Sequence, residues 1–328
     1  MNFTAFVGND KVKTELGFLL QSGRLPHAIV IEGDEGMGKR TLARDIAVNL
    51  LCRESKNNAC TTCAQCKKVL GGIHPDVYEY SATGGARSFK VDTVRDIIKD
   101  CYMQPNEGNY KVYILGNCHL MGEPAQNAIL KILEEPPSYA VFILTVNTKS
   151  ALLETVLSRS VVISLDSVDS KTGADFICEK CDGVSYEDAH SAITVWGGNI
   201  GKAMQSLSDG KLSKISTITN DICNAMVKDN EYALIKACSV FEKDRDTLVS
   251  VLSLLKTVFR DAMLFGSSGD ILSGQTDSVK MLSRELSKDK LLKLITVCDD
   301  VRTLALKNGN NGILITKICY ELRKALGR

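Results

Sequence analysis

Gly33, Gly36, Gly38 and Lys39, in the stretch GDEGMGKRTLA (33–43), fall where G-x-x-x-x-G-K-[ST] places its glycines and lysine. Backbone N–H groups of such a loop surround phosphate oxygens, and the lysine reaches the β- and γ-phosphates. The next residue should be Ser or Thr, to hold magnesium. Here it is Arg40, a cation that resists a nearby metal, and Thr41 comes one residue late. Hydrolysis also needs an acidic residue at the end of a second strand, but KVYILG runs into Gly116 and Asn117. Glu134 and Glu135 are the nearest substitutes in sequence. They end a helix against Pro136 and Pro137, and Glu135 is spaced to pair with Lys131 at i,i+4. These residues predict a cradle able to hold ATP or ADP, without hydrolysis and with no catalysis intrinsic to the chain.

Four cysteines offer a second chemistry. Cys52, Cys60, Cys63 and Cys66 follow C-x7-C-x2-C-x2-C. Two successive two-residue spacers let one tight turn present several thiolates to one ion, and Cys52 can close a tetrahedral site. The segment between has little apolar material to fold around without a metal. Four ligands leave no open position, so the expectation is a structural Zn2+. Cys178 and Cys181 form a lone C-x-x-C, read as small core residues of a helix. Cys101, Cys118, Cys223, Cys238, Cys298 and Cys319 are scattered and read as core fillers. His74 and His119 read as structural.

The elements that must position these residues follow from periodicity. HAIVIEG (27–33) is a strand feeding the loop, and KRTLARDIAVNLLC (39–52) is the helix after it, with Leu42, Ile46 and Leu50 on one face. KVYILG (111–116) and YAVFILTV (139–146) are continuous apolar strands, as a parallel sheet covered on both faces requires. PAQNAILKILEE (124–135) is an amphipathic helix stopped by two prolines. Beyond about residue 167 helical spacing dominates, with stripes such as Leu248, Val251, Leu252, Leu255, Val258 and Phe259. The fold class is α/β with a helical tail.

Composition sets outer limits. A chain of 328 residues accommodates two or three domains. Lys+Arg 40 against Asp+Glu 39 leaves a net charge of +1, which argues against strong independent binding to nucleic acid. MNFTAFVGND has no basic-then-apolar signal pattern, no apolar run reaches membrane-spanning length, and twelve cysteines suit a reducing compartment. A cytoplasmic protein without a membrane partner is expected.

RLPHAIVIEG (24–33), HPD (74–76), NAILKILEEPP (127–137) and SRS (158–160), with the cysteine cluster inserted after the phosphate-loop helix, resemble the bacterial clamp-loader AAA+ family. Within it, the altered catalytic set is more similar to delta-prime subunits of DNA polymerase III than to the gamma/tau ATPase. The resemblance implies a RecA-like P-loop domain over 1–166 with a zinc module at 52–66, a helical lid over 167–208 and a helical collar over 209–328. It makes Lys39 the Walker A lysine, with Arg40 at the metal-binding hydroxyl position and Gly116 and Asn117 at the Walker B acids. Asn147 becomes the polar sensor ending the next strand. The second sensor falls on Gly201, with Lys202 one residue late. Arg159 matches the arginine finger of a Ser-Arg-Cys motif, with Ser160 in place of the cysteine.

The implied role is a stator without ATPase activity. It would donate Arg159 in trans to a neighbouring gamma/tau subunit, assemble with gamma/tau and delta subunits, and help load the sliding clamp on primed DNA. Two rivals stand beside it. One is an active gamma/tau-type ATPase, whose hydrolysis would be lost in Lys39→Ala. The other is a zinc-dependent DNA-binding module using Arg53, Lys56, Lys67 and Lys68, which lacks an aromatic residue for stacking.

Overall fold

The computed structural model describes residues 3, 5–22, 25–54, 58–82, 89, 91–242, 244–266, 271–306 and 310–327. Arg24 of the block 24–33 and Lys56 lie outside them. The chain divides into two compact units, Met1–Ser167 and Val168–Arg328.

In the first unit, β1 (Ala28–Glu32), β2 (Val77–Ser81), β3 (Lys111–Gly116), β4 (Ala140–Val146) and β5 (Val161–Ser164) form one sheet in the order β2-β3-β4-β1-β5. All four pairings are parallel. β3 and β4 are buried at every position, so their apolar runs serve both faces of the sheet. Val30, Tyr113 and Phe142 point to one face, where α4 (Val91–Cys101) and α5 (Glu123–Glu134) pack. Ile31, Ile114 and Ile143 point to the other, against α1 (Asp10–Gln21), α2 (Lys39–Leu51) and α3 (Ala64–Leu70). Side-chain alternation along each strand produces this two-sided core.

Pro124 in the first turn starts α5, and Glu135 leaves the helix immediately before the two prolines. The carboxyl ends of β1, β4 and β3 lie side by side, with Glu32 opposite Val146 and Leu115 opposite Leu144. That edge is where open α/β sheets bind ligands.

The second unit is helical among its described residues. α7 (Ser170–Lys180), α8 (Tyr186–Val195) and α9 (Ile200–Ser208) enclose a small core of Ala174, Ile177, Ala189, Ala192, Ile193 and Ala203. Asp169, Ser185 and Asn199 cap them, each side chain accepting an N–H three residues on. α10 (Lys211–Val227), α11 (Glu231–Ser239), α12 (Arg245–Leu264), α13 (Thr276–Glu285), α14 (Lys288–Leu306) and α15 (Asn311–Leu326) share a larger core. The stripe of α12 lies at its centre: Leu248, Val251, Leu252, Leu255, Val258 and Phe259 are all fully buried. Among the described residues no helix is long and apolar enough to cross a membrane.

Candidate nucleotide site and cysteine centre

The phosphate loop joins β1 to α2 at the carboxyl edge of the sheet. Gly36 and Gly38 take φ of 90° and 83°, a left-handed backbone that a side chain disfavours. Lys39 is only 8% exposed and folds back across the loop. Its Nζ donates to the Gly33 carbonyl, to the Asp34 carbonyl at 2.9 Å and to Asn147 Oδ1 at 3.0 Å. Lys39 and Asn147, distant in sequence, therefore meet at one point.

Arg40 occupies a different place from a metal-binding hydroxyl. Its guanidinium lies over Gly116, where a β-carbon would stand 3.0 Å from Nη2, 3.1 Å from Nε and 2.9 Å from Ser81 Oγ. A side chain at position 116 would therefore require the Arg40 guanidinium and the Ser81 hydroxyl to shift. Asn117 adopts a left-handed conformation, φ 59°, and its Nδ2 donates to the Ala82 carbonyl at 2.8 Å. Thr41 is half-buried in the first turn of α2.

His119, read from sequence as structural, belongs beside this site. Its Nε2 lies 3.4 Å from Asn147 Nδ2, and Nδ1 is buried without a hydrogen-bond partner among the described residues. Burial, then the Lys39 charge, holds its pKa below the ordinary 6.5. No spacing in the sequence links it to Lys39; the turn after β3 does.

Arg159 follows α6 (Glu154–Leu157), with its side chain one-third exposed. Nη2 lies 2.7 Å from Glu134 Oε1, and Nη1 donates to the Thr155 carbonyl at 2.9 Å and to Ser158 Oγ at 3.1 Å. The i,i+4 pair expected between Lys131 and Glu135 is not formed among the described residues. Glu135 has left helical geometry, at φ −129° and ψ 66°, which takes its side chain out of register. Glu134 instead holds Arg159.

The four clustered cysteines converge. Their sulfurs all lie within 4.8 Å of one another. Cys52 and Cys60 are 3.7 Å apart, and Cys60 and Cys66 3.9 Å. A tetrahedron with metal–sulfur bonds of about 2.3 Å has sulfurs about 3.8 Å apart, so the donor set fits Zn2+. N–H groups of Cys60, Cys63 and Cys66 point at the sulfurs of Cys52, Cys60 and Cys63, at 3.3 to 3.5 Å. The Cys63 and Thr62 N–H groups bring the Cys60 thiol down to about 6. Burial pushes the Cys66 thiol up. Asn49 Oδ1 accepts the Ala59 N–H at 2.9 Å, tying the segment to α2.

Residues 8–169 match a family model described as DNA polymerase III, delta subunit. That span coincides with the sheet unit and includes the loop, the cysteines and Arg159. Residues 8–169 are thus similar to DNA polymerase III subunits. A gamma subunit of DNA polymerase III from Buchnera aphidicola is 31% identical over 170 residues, 52% of this chain and 46% of that protein. The tau subunit from Escherichia coli is 33% identical over 168 residues, 51% of this chain and 26% of that protein. The alignments thus span less than half the length of either relative. Among solved structures, a gamma-subunit-related protein from Thermotoga maritima aligns at TM-score 0.42 and 16% identity, over 94% of this chain and 99% of that one.

Within residues 8–169 the sequence-predicted residues outside the cysteine cluster form two groups. Lys39, Arg40, Gly116 and Asn147 gather at the loop, and Arg159 is held by Glu134. In the second unit, the Lys202 ammonium lies 5.9 Å from the centre of the Trp196 ring, and the Lys202 N–H caps onto Asn199 Oδ1. Cys178, in α7, and Cys181, the extended residue that ends it, are half-buried against the small core of α7 to α9, so only the first is a helix residue as expected.

Proposed function

We propose that this chain is an ATPase-deficient clamp-loader subunit of the delta-prime kind. In this reading it is a stator that lends Arg159 to the ATP site of an adjacent gamma/tau subunit. The placement of Arg40 beside Gly116 carries the reading, because a cation and a residue without a carboxylate stand where a metal site needs a hydroxyl and an acid. The loop, Lys39 and Asn147 retain the means to hold ATP or ADP, whereas the acids and hydroxyl that prepare magnesium and water are replaced.

Arg159 keeps its guanidinium partly in solvent, held by one surface carboxylate that a triphosphate could outcompete through bidentate hydrogen bonds. Cys52, Cys60, Cys63 and Cys66 would hold a structural Zn2+ that pins the end of α2 to α3. In the assembly the chain would work with gamma/tau and delta subunits to open the sliding clamp and place it on primed DNA, with the helical unit as lid and collar.

The test is DNA- and clamp-stimulated ATP hydrolysis by a reconstituted loader carrying either the unsubstituted chain or Arg159→Ala, with the chain alone as blank. The blank should be silent. Arg159→Ala should slow turnover at the adjacent site by about a thousandfold, the scale of a lost arginine finger. A second reading, an active gamma/tau-type ATPase, is favoured by the names of the aligned relatives. It requires the chain alone to hydrolyse ATP and Lys39→Ala to abolish that rate.

A further inference from the structure

We propose that the loop takes a nucleoside di- or triphosphate in its metal-free form, the Arg40 guanidinium standing where a divalent cation stands in a metal-dependent phosphate loop. The proposal rests on reading residues 33–39 as a nucleotide cradle.

Arg40 is the residue after Lys39 in the first turn of α2, and its guanidinium lies beside Gly116 at the carboxyl end of β3. Its side chain is exposed, and among the described residues no carboxylate pairs with it. A β-carbon at Gly116 would stand 3.0 Å from Nη2 and 3.1 Å from Nε of that guanidinium. Arginine here and glycine there are thus sterically compatible: a residue without a side chain at 116 leaves room for the cation.

The electrostatics of that unit favour a bare polyphosphate. A guanidinium binds phosphate oxygens bidentately and stays charged at every physiological pH. A metal-free triphosphate is more negative than its magnesium chelate, so Lys39 and Arg40 together gain more from it. Magnesium arriving with the nucleotide would instead approach a fixed cation with no carboxylate from Gly116 or Asn117 between them. Arg40 can neutralise charge but cannot order a metal-bound water, which suits binding without turnover.

The experiment is calorimetric titration of the full chain with ATP, in excess EDTA and again in excess magnesium. Binding in EDTA should be at least as tight as in magnesium. Arg40→Ala should weaken the EDTA binding by about tenfold or more, while Arg40→Lys, which keeps the charge without the fork, should weaken it less. The pair Arg40→Ser with Gly116→Asp should reverse the order, so that magnesium strengthens binding. Thermal melts establish that each variant folds.

Binding by the unsubstituted chain that requires magnesium overturns the proposal and leaves the nucleotide cradle standing. Unchanged EDTA binding in Arg40→Ala overturns it too. No binding in either solution, in a chain that melts cooperatively, overturns both the proposal and the cradle.

Discussion

The Asp76 carboxylate is fully buried and organises the loop before β3. Oδ1 accepts the Asn106 N–H at 2.6 Å and Asn106 Nδ2 at 3.1 Å; Oδ2 accepts the Glu107 and Gly108 N–H groups at 2.8 and 2.7 Å. Burial alone would raise its pKa, but these donors hold it below the ordinary 3.8. Asp76→Asn should therefore destabilise the chain by about 2–3 kcal/mol at neutral pH, from charge-assisted hydrogen bonds replaced by mismatched ones. A lowered folded-state pKa means the contribution is complete above pH 3.8 and is lost as pH falls below it. Melting temperatures of the two chains should converge in that acid range, and parallel curves would assign the effect to packing instead. Residue types made Lys39 and the cysteines legible from sequence, since their spacing is the chemistry. The contacts of His119, Glu134 and Asp76 were not, because each joins residues brought together by different strands.

Elements were legible where burial is one-sided or total. β1, β3 and β4 were readable as apolar runs, and α12 as a stripe, because their positions decide burial directly. β2 is half-buried or exposed along its length, and β5, exposed at two of its four positions, offers an apolar run of only Val161, Val162 and Ile163. Helix contact is subtler still. Gly173 in α7 faces α8 so closely that a β-carbon would stand 2.5 Å from Ile193 Cγ1 and 2.9 Å from Ile193 Cδ1. Substituting alanine in a helix usually helps, by removing backbone entropy from the unfolded chain. Here the overlap with a fully buried Ile193 decides the sign. Gly173→Ala should cost about 1–3 kcal/mol, the usual scale of overpacking, and Gly173→Ala with Ile193→Val should recover part of it. A denaturant midpoint unchanged by Gly173→Ala would mean that α7 and α8 separate easily.

At the scale of the whole molecule, charge separates a subunit that meets DNA inside an assembly from one that binds it alone. Net charge is +1, with a sequence pI of about 7.4, so no long-range field draws a polyanion. The basic residues around the cysteine centre are largely committed. Lys68 Nζ lies 2.5 and 2.7 Å from the Glu107 carboxylate oxygens, and Arg53 donates to the Glu107 carbonyl. That leaves Lys67, exposed on α3, as the available cation of the described three. A protein neutralising several phosphates loses affinity steeply with salt, with a slope of about −0.9 per phosphate contacted on duplex DNA. The isolated chain should bind primed duplex weakly, with a log–log salt slope shallower than about −2, equivalent to roughly two phosphate contacts. Fluorescence anisotropy from low to physiological salt measures it. A steep slope that Lys67→Ala and Lys68→Ala flatten would place a DNA-binding surface at the cysteine centre and revive the zinc-module reading. A shallow slope unaffected by either variant is the outcome the proposed stator reading requires.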